Sequence, residues 1–295
     1  MTVVPSATSK RLETYELTIR EMTPNDIDKL HELSTTVLWP HRPSDWQLLL
    51  TLGKGVVGCD AIGRIIASGM WFPIGDKYAT IGMVITSPRL QALGGGRWIM
   101  NHIMAQCDNR EILLTSTRAG FRLYQSLEFQ TIAPVFQYQG IAKAVDSSKL
   151  AVTEGIRELA PNDEASILQL DKNAFGIDRN NIIKAVLQQS QGSVLVRNDH
   201  IVGFALCRKF GRGHVIGPVV AQNCQDAMAL IAPHVNKHSG TFLRIDTIEQ
   251  DELFTAFILE AGMSHFDTVT SMSKPKFNRY DGEFHSFALV SHTLA

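Results

Sequence analysis

An eight-residue phrase occurs twice in this chain. Ile19-Arg20-Glu21-Met22-Thr23-Pro24-Asn25-Asp26 returns as Ile156-Arg157-Glu158-Leu159-Ala160-Pro161-Asn162-Asp163, differing only at its fourth and fifth places. The match continues nearly in register, pairing Leu30 with Ile167, Leu33 with Leu170, Ile65-Ile66 with Ile201-Val202, and Ile81-Gly82 with Ile216-Gly217. Self-similarity on that scale means two copies of one folding plan. A chain of 295 residues is long for one core and comfortable for two. The expected organisation is a first domain at 1–143, a polar linker at 144–153 around Asp146-Ser147-Ser148-Lys149, a second domain at 154–276 and a tail at 277–295. Each copy opens alike. Leu17-Thr18-Ile19-Arg20 reads as a strand, and Thr23-Pro24-Asn25-Asp26 as a helix start with an N-cap, a proline at N1 and an acid at its third place.

The copies part at a run of glycines. From Ala79 to Thr86, Ile81, Met83 and Ile85 alternate with Thr80, Gly82 and Val84, which predicts a strand ending at Ser87-Pro88. Gln91-Ala92-Leu93-Gly94-Gly95-Gly96-Arg97 follows, and then Ile99, Met100, Ile103, Met104 and Cys107 recur at helical spacing. Three glycines at a helix start cost backbone entropy and bring no packing, so something must approach the backbone closely there. The unpaired N–H groups of a first helical turn, at the positive end of the helix dipole, suit an anion such as a pyrophosphate. Arg97 adds a formal charge. In the second copy the matching stretch is Gln225-Asp226-Ala227-Met228-Ala229-Leu230, without glycines and with a carboxylate that repels an anion. Gly53-Lys54-Gly55-Val56-Val57-Gly58 also matches a dinucleotide fingerprint, but it follows a helix and opens a strand, the reverse of the required context.

The glycine run resembles the Gln/Arg-x-x-Gly-x-Gly/Ala signature of the GNAT N-acetyltransferases, with Gln91, Gly94 and Gly96 at its fixed places. A second signature lies downstream, where Tyr124-Gln125-Ser126-Leu127-Glu128-Phe129 is similar to the family's Tyr-x-x-Leu-Gly-Phe, with Glu128 in place of glycine. Trp39 to Trp46, Ile81 to Val84, Phe175 to Arg179 and Ile216 to Ala221 extend the likeness to a bacterial subfamily of tandem GNAT proteins, the YitH-like acetyltransferases. That resemblance implies an α/β (α+β) protein of two tandem GNAT folds, each a mixed, mostly antiparallel sheet flanked by helices. It implies acetyl-CoA as cosubstrate, held by Gln91, Ala92, Leu93, Gly94, Gly95, Gly96 and Arg97, by Met83 and Val84 on the preceding strand, and by Thr117. The second domain, whose counterpart of Tyr124 is Ile258, then keeps the scaffold without the coenzyme site and helps to shape the acceptor site.

Acetyl transfer to an amine requires that a proton leave the ammonium and that the thioester carbonyl be polarised. In the family pattern the backbone N–H groups near Met83 and Val84 face that carbonyl oxygen, and Tyr124 is the expected acid for the departing thiolate. No carboxylate lies on the coenzyme strand, so His41 is the candidate base, with a water relay or a purely structural histidine as the alternatives. Trp39, His41, Arg42 and Trp46 share one loop, and an arginine beside tryptophans suits a carboxylate-bearing amine, unless Arg42 only braces Asp45. Arg179 and Arg212, with Asp178 and His214, are candidate acceptor contacts from the second domain. The expected function is transfer of an acetyl group to a small-molecule amine such as an amino acid. The competing readings are a longer acyl group and a non-enzymatic sensor of coenzyme A or an amino acid.

Composition narrows the partners. A net charge of −1 provides no attraction for nucleic acid or an anionic membrane, and no apolar run is long enough to span a bilayer. The polar start, Met1 to Glu13, has no signal-peptide core, so a cytoplasmic protein is expected. Cys59, Cys107, Cys207 and Cys224 lack metal-ligand spacing, and His234 with His238 lacks a third ligand; no metal is expected, and the two histidines read as a solvated helix end.

Overall fold

The computed structural model describes residues 9–12, 15–88, 91, 93–277 and 282–295. The first half runs β1 (Ser9–Leu12), β2 (Tyr15–Glu21), α1 (Ile27–Thr36), α2 (Pro43–Leu52), β3 (Lys54–Cys59), β4 (Ile65–Ile74), β5 (Tyr78–Thr86), α3 (Gly95–Gln106), β6 (Glu111–Ser116), α4 (Phe121–Gln125) and β7 (Gln130–Ile141). The second runs β8 (Ile156–Glu158), α5 (Glu164–Phe175), α6 (Asn180–Leu187), β9 (Ser190–Arg197), β10 (His200–Phe210), β11 (Gly213–Ala221), α7 (Cys224–Lys237), β12 (Phe242–Thr247), α8 (Glu252–Glu260), β13 (Ser264–Lys274) and β14 (His285–Ala288).

The repeated phrase folds the same way twice. Arg20 grips Asp26 through two nitrogens at 2.7 and 2.8 Å, and Arg157 grips Asp163 at 2.7 and 2.9 Å. Each aspartate also accepts the backbone N–H three residues before it, from Thr23 at 2.9 Å and from Ala160 at 2.7 Å. The substituted places, Met22/Leu159 and Thr23/Ala160, leave this arginine-to-aspartate clamp intact.

Among the described residues, fourteen strands form one continuous sheet in the order β1-β2-β3-β4-β5-β6-β13-β7-β12-β11-β10-β9-β8, with β14 added on β11. Among these described strands only β5–β6 and β11–β12 pair in parallel. Strand β13 lies between β6 and β7, and β7 pairs with β12, so strands from the two halves interleave at the centre. One face carries a single core in which Trp46, Leu30 and Leu49 of α1–α2 join Ile167, Ile182 and Val186 of α5–α6 over Met70, Met83, Phe204 and Leu206. On the opposite face, Trp98, Ile99 and Ile103 of α3 cover the first half and Leu230, Ile231, Phe254 and Ile258 of α7–α8 cover the second.

The two parallel pairs explain why the copies are not equivalent. Strand β5 pairs with β6 only from Tyr78–Glu111 to Ile81–Leu114, and β11 with β12 only from His214–Leu243 to Ile216–Ile245. Beyond those points each pair parts. In the second half β14 fills the gap, with Val219, Val220 and Ala221 of β11 paired to Ala288, Ser286 and His285. Thus residues 285–288, within the expected tail, are a strand of the sheet. The chain then passes Gly217, where a Cβ would meet the Leu289 carbonyl oxygen at 2.0 Å, and reaches Gly82, where a Cβ would meet the Thr293 methyl at 2.5 Å. One C-terminal segment therefore touches both copies of the Ile-Gly pair.

Candidate active site

The parting of β5 from β6 is set by a bulge. Pairing of Met70 with Gly82 and then of Ser68 with Ile85 leaves Met83 and Val84 opposite one residue, Gly69. Met83 takes a φ of 52°, in the left-handed region that side chains disfavour. The buried Ser68 hydroxyl donates to the Met83 carbonyl at 2.9 Å and helps to hold the bulge. Because of the bulge, two consecutive residues face the C-terminal segment: Gly82 meets the Thr293 side chain, and the Thr293 hydroxyl lies 3.6 Å from the Met83 sulfur.

At the other end of β5 the glycine run begins α3. Gly94 is the N-cap, at φ 87° and ψ 8°, a conformation that costs an L-residue about 1–2 kcal/mol and that glycine adopts without that cost. No acidic side chain lies in the first turn of α3. A Cβ on Gly96 would lie 3.1 Å from Leu123 and 3.8 Å from the Thr86 hydroxyl, so the helix start is packed against α4 and the end of β5. The exposed Arg97 donates to the Ser126 hydroxyl at 2.5 Å, and the Gln91 amide donates to the Thr86 carbonyl at 3.1 Å. The structure thus brings Gly94–Gly96, Arg97 and the Tyr124 helix together. Leu93 is half-buried beside them; Ala92 lies outside the described residues.

Tyr124 is buried on the α3 side of the sheet, edge-on to Phe129 at 6.0 Å, and burial pushes its phenol up to about 12. Glu128, where the family pattern has glycine, still forms the glycine-type turn at φ 70°, and Lys274 of β13 pairs with it at 2.7 Å. Thr117 follows β6, and its hydroxyl accepts from the Gly120 N–H at 3.3 Å.

The acceptor loop docks against the second half. Asp45 accepts from the Arg42 side chain at 2.7 and 3.1 Å, from the Arg42 N–H at 2.8 Å, and from the Gly211 N–H at 3.1 Å. Arg42 is therefore the brace of this loop. Pro40 lies against Gly211, and a shallow depression beside them is lined by Leu38, Pro40, Gln137, Gln139, Arg212 and Arg244. His41 sits among Trp39, Trp46 and Phe210, at ring distances of 5.9, 6.4 and 5.2 Å. Its Nδ1 is sealed from solvent without a partner, as is the Trp46 Nε1. Burial first, and then the nearby Arg244 and His292, push His41 down to about 4 against the opposing pull of Asp45. An imidazole so placed is a poor base at neutral pH.

Three expectations are corrected by geometry. Arg179 is 1 % exposed, with Nε and Nη2 on Asp171 at 2.8 and 2.9 Å and Nη1 on the carbonyls of Leu294 and Ala295. Its donors hold the fold rather than face an acceptor. Asp178, expected beside Arg179 as an acceptor contact, pairs with Lys172 at 3.5 Å. His234 is buried against the Ser193 hydroxyl at 3.1 Å, not solvated, while His214 stacks on His238 at 3.9 Å.

What the sequence reading missed is a buried charged cluster where β12 meets the C-terminal segment. Arg244 Nε lies 2.9 and 3.0 Å from the two oxygens of Asp246, and His292 Nε2 lies 3.2 Å from Asp246 Oδ1. Asp246 is 1 % exposed, and the Arg244 guanidinium, together with the His292 ring, holds its carboxyl well below the usual range despite burial. Arg208 beside it donates to the carbonyls of Gly217 and Val290, and burial lowers it to about 10. A signal existed in Phe242-Leu243-Arg244-Ile245-Asp246, an apolar strand with two charges on one face.

In the second half, the first turn of α7 carries the buried Asp226, tied to Arg197 at 2.6 and 2.7 Å, where the first half has its glycines. Among the described residues no cluster of three or more potential ligands could hold a metal, and no helix is long and apolar enough to cross a membrane.

Comparison with known proteins bears on the fold. Residues 167–285 match the model of the acetyltransferase (GNAT) domain, a match that lies in the second half and leaves the glycine run outside it. A protein of Bacillus subtilis (strain 168) described as the uncharacterized N-acetyltransferase YitH is 25% identical over 287 residues, covering 92% of this chain and 98% of YitH. A crystal structure described as an acetyltransferase from Pyrococcus horikoshii superposes with a TM-score of 0.78 at 18% identity, over 95% of this chain and 96% of that one. A tandem GNAT protein from the clavulanic acid biosynthesis pathway superposes with a TM-score of 0.61 at 13% identity, over 87% and 98%. The fold is that of the tandem GNAT proteins, the chain is similar to YitH over nearly its whole length, and its second half matches the GNAT-domain model.

Proposed function

We propose that this protein transfers an acetyl group from acetyl-CoA to the amine of a small molecule, and that residues 1–143 carry the transfer while the second half shapes the acceptor site. The observation that carries this reading is the open edge of β5 beyond Ile81, with the glycine start of α3 and the Tyr124 helix packed at its end. The corresponding edge in the second half is taken by β14, and Asp226 stands in the first turn of its helix. The residues present therefore fit the coenzyme in the first half alone. Gly94, Gly95, Gly96 and Arg97 would hold its pyrophosphate, with Gln91, Leu93 and Thr117 at the rim and Met83 and Val84 along the pantetheine path. When bound, acetyl-CoA supplies the activated acyl thioester.

The chain does the rest. Backbone N–H groups at the bulge of Met83 and Val84 would polarise the acyl carbonyl. Tyr124, held neutral by burial, would donate a hydrogen bond toward the departing sulfur. Phe210 and Phe242 give the depression an apolar wall, with Trp39 and Trp46 packed around His41 behind it. The exposed Arg212 at the depression suits an amine that also carries a carboxylate, an amino acid for example.

The test is free-thiol release from acetyl-CoA against a panel of amino acids, polyamines, aminoglycosides and arylalkylamines, with coenzyme binding followed by calorimetry. Turnover with an amine supports the reading, and preference for carboxylate-bearing amines supports the role of Arg212. Coenzyme binding without turnover on any amine would point to a sensor, and absence of binding would overturn the reading of Gln91 to Gly96.

A further inference from the structure

Any acetyltransferase acting on an aliphatic amine must first remove a proton, because an amine of pKa about 10 is almost wholly protonated at neutral pH. His41 is poorly suited to that task, since its Nδ1 is sealed and its imidazole is held neutral by burial. His234 is buried against Ser193, and His214 is stacked on His238. A different imidazole meets the geometric requirements.

His292 lies on the C-terminal segment immediately before Thr293, whose side chain rests on Gly82 and reaches the Met83 sulfur at the bulge. The backbone there is fixed. The Leu289 N–H donates to the Asp246 carbonyl at 2.9 Å, and the Ser291 hydroxyl oxygen accepts from the N–H groups of Thr293 and Leu294 at 3.3 and 3.2 Å. The ring is fixed as well, with Nε2 3.2 Å from the buried Asp246 carboxylate, which Arg244 holds on its other side at 2.9 Å. Arg244 Nη2 is 3.4 Å from both ring nitrogens, a long hydrogen-bond contact that must give way when Nδ1 takes a proton. The tautomer assigned by this geometry gives the Nε2 hydrogen to Asp246 and leaves the Nδ1 lone pair to accept a proton. His292 is 23 % exposed where Asp246 is sealed, so solvent can carry the proton away afterwards.

Resting on the acetyl-transfer reading above, the geometry points to His292 as the base that deprotonates the acceptor ammonium, with Asp246 as its positioning residue. The ammonium proton passes to Nδ1, and the freed nitrogen forms the C–N bond to the acyl carbon as the C–S bond breaks. The second amine proton ends on the sulfur as thiol, and Nδ1 returns its own to solvent. The charged and titratable groups facing the imidazole are Arg244 and Asp246 of β12 and His41 of the loop before α2; Asp45 of α2 lies beyond His41, and Arg208 of β10 beside Asp246 and Arg244.

The experiment compares the full-length protein with His292→Gln and His292→Ala, using an amine that turns over in the panel. Expected is a fall in kcat/KM of about 10²–10⁴-fold for a strongly basic amine, loss of the acid limb of the pH profile, and partial rescue of His292→Ala by added imidazole. Hydroxylamine, largely unprotonated at neutral pH, should lose much less. A second readout needs no acceptor: diethyl pyrocarbonate should label His292, as located by mass spectrometry, and acetyl-CoA should protect it. Retention of the pH profile in His292→Gln, failure of imidazole rescue, or labelling unaffected by bound acetyl-CoA would each overturn the assignment. If calorimetry shows no acetyl-CoA binding to the unmodified protein, the acetyl-transfer reading fails and the base falls with it; binding without protection removes only the base.

Discussion

Thr293 lies against Gly82 so closely that a Cβ on the glycine would meet the threonine methyl at 2.5 Å. This contact joins the last turn of the chain to the strand bulge that carries Met83. Gly82→Ala should therefore displace the C-terminal segment, lowering stability by about 1–3 kcal/mol and reducing turnover. Thr293→Ala in the same chain removes the clashing methyl and should restore most of the loss, a coupling readable in a double-mutant cycle of denaturation midpoints. Additive effects would mean that the two residues do not touch in solution.

At Arg179 the expected effect is on folding rather than on substrate affinity. Both Arg179 and Asp171 are buried, so Arg179→Met leaves a carboxylate without its partner, at a cost of about 3–5 kcal/mol. Adding Asp171→Leu removes the stranded charge and should recover much of that in urea unfolding. A normal midpoint with a raised KM for the amine would instead return Arg179 to the acceptor site.

Tyr124→Phe separates catalysis from coenzyme binding. The phenol sits at about 12 and stays neutral throughout the working range, so it acts only as a donor. The substitution should lower kcat by about 10²-fold while calorimetric affinity for acetyl-CoA stays within about twofold. Equal losses in both would mark Tyr124 as a packing residue.

Acid should unfold the protein in two stages. Burial holds His234 and His41 down at about 4, so between pH 6.5 and 4 the unfolded chain binds protons that the folded chain does not, and stability falls as pH falls through that window. For the buried His234 this amounts to about 3 kcal/mol at most. Below it, Asp26 at about 2, together with Asp45 and Asp246, begins to lose the charged form that its partners stabilise. His234→Gln should flatten the slope of thermal midpoint against pH above pH 4 and leave the lower stage unchanged.

Local chemistry made much of this legible in the sequence. Gly94 starts a helix from a left-handed conformation, and the clamp of Arg20 on Asp26 recurs as Arg157 on Asp163, because these features depend on residues a few places apart. Glu128 shows the limit of such reading, since a glycine-type turn forms there without glycine, and the side chain in its place pairs with a lysine more than a hundred residues away. Arg42 is similar: its type and neighbours suit a carboxylate ligand, but Asp45, three places on, already supplies the carboxylate.

The amino-acid sequence by itself determined the two-copy plan, the tandem GNAT resemblance and the glycine start of α3, all written in periodicity and turn chemistry within short windows. Only the tertiary structure decided that β13 enters between β6 and β7, that β14 closes the second gap, and that His292 meets Asp246 and Arg244 beside the bulge. Those are contacts between residues distant along the chain, set by which sheet edge is left unpaired and which buried charge needs a partner, and no local pattern encodes them.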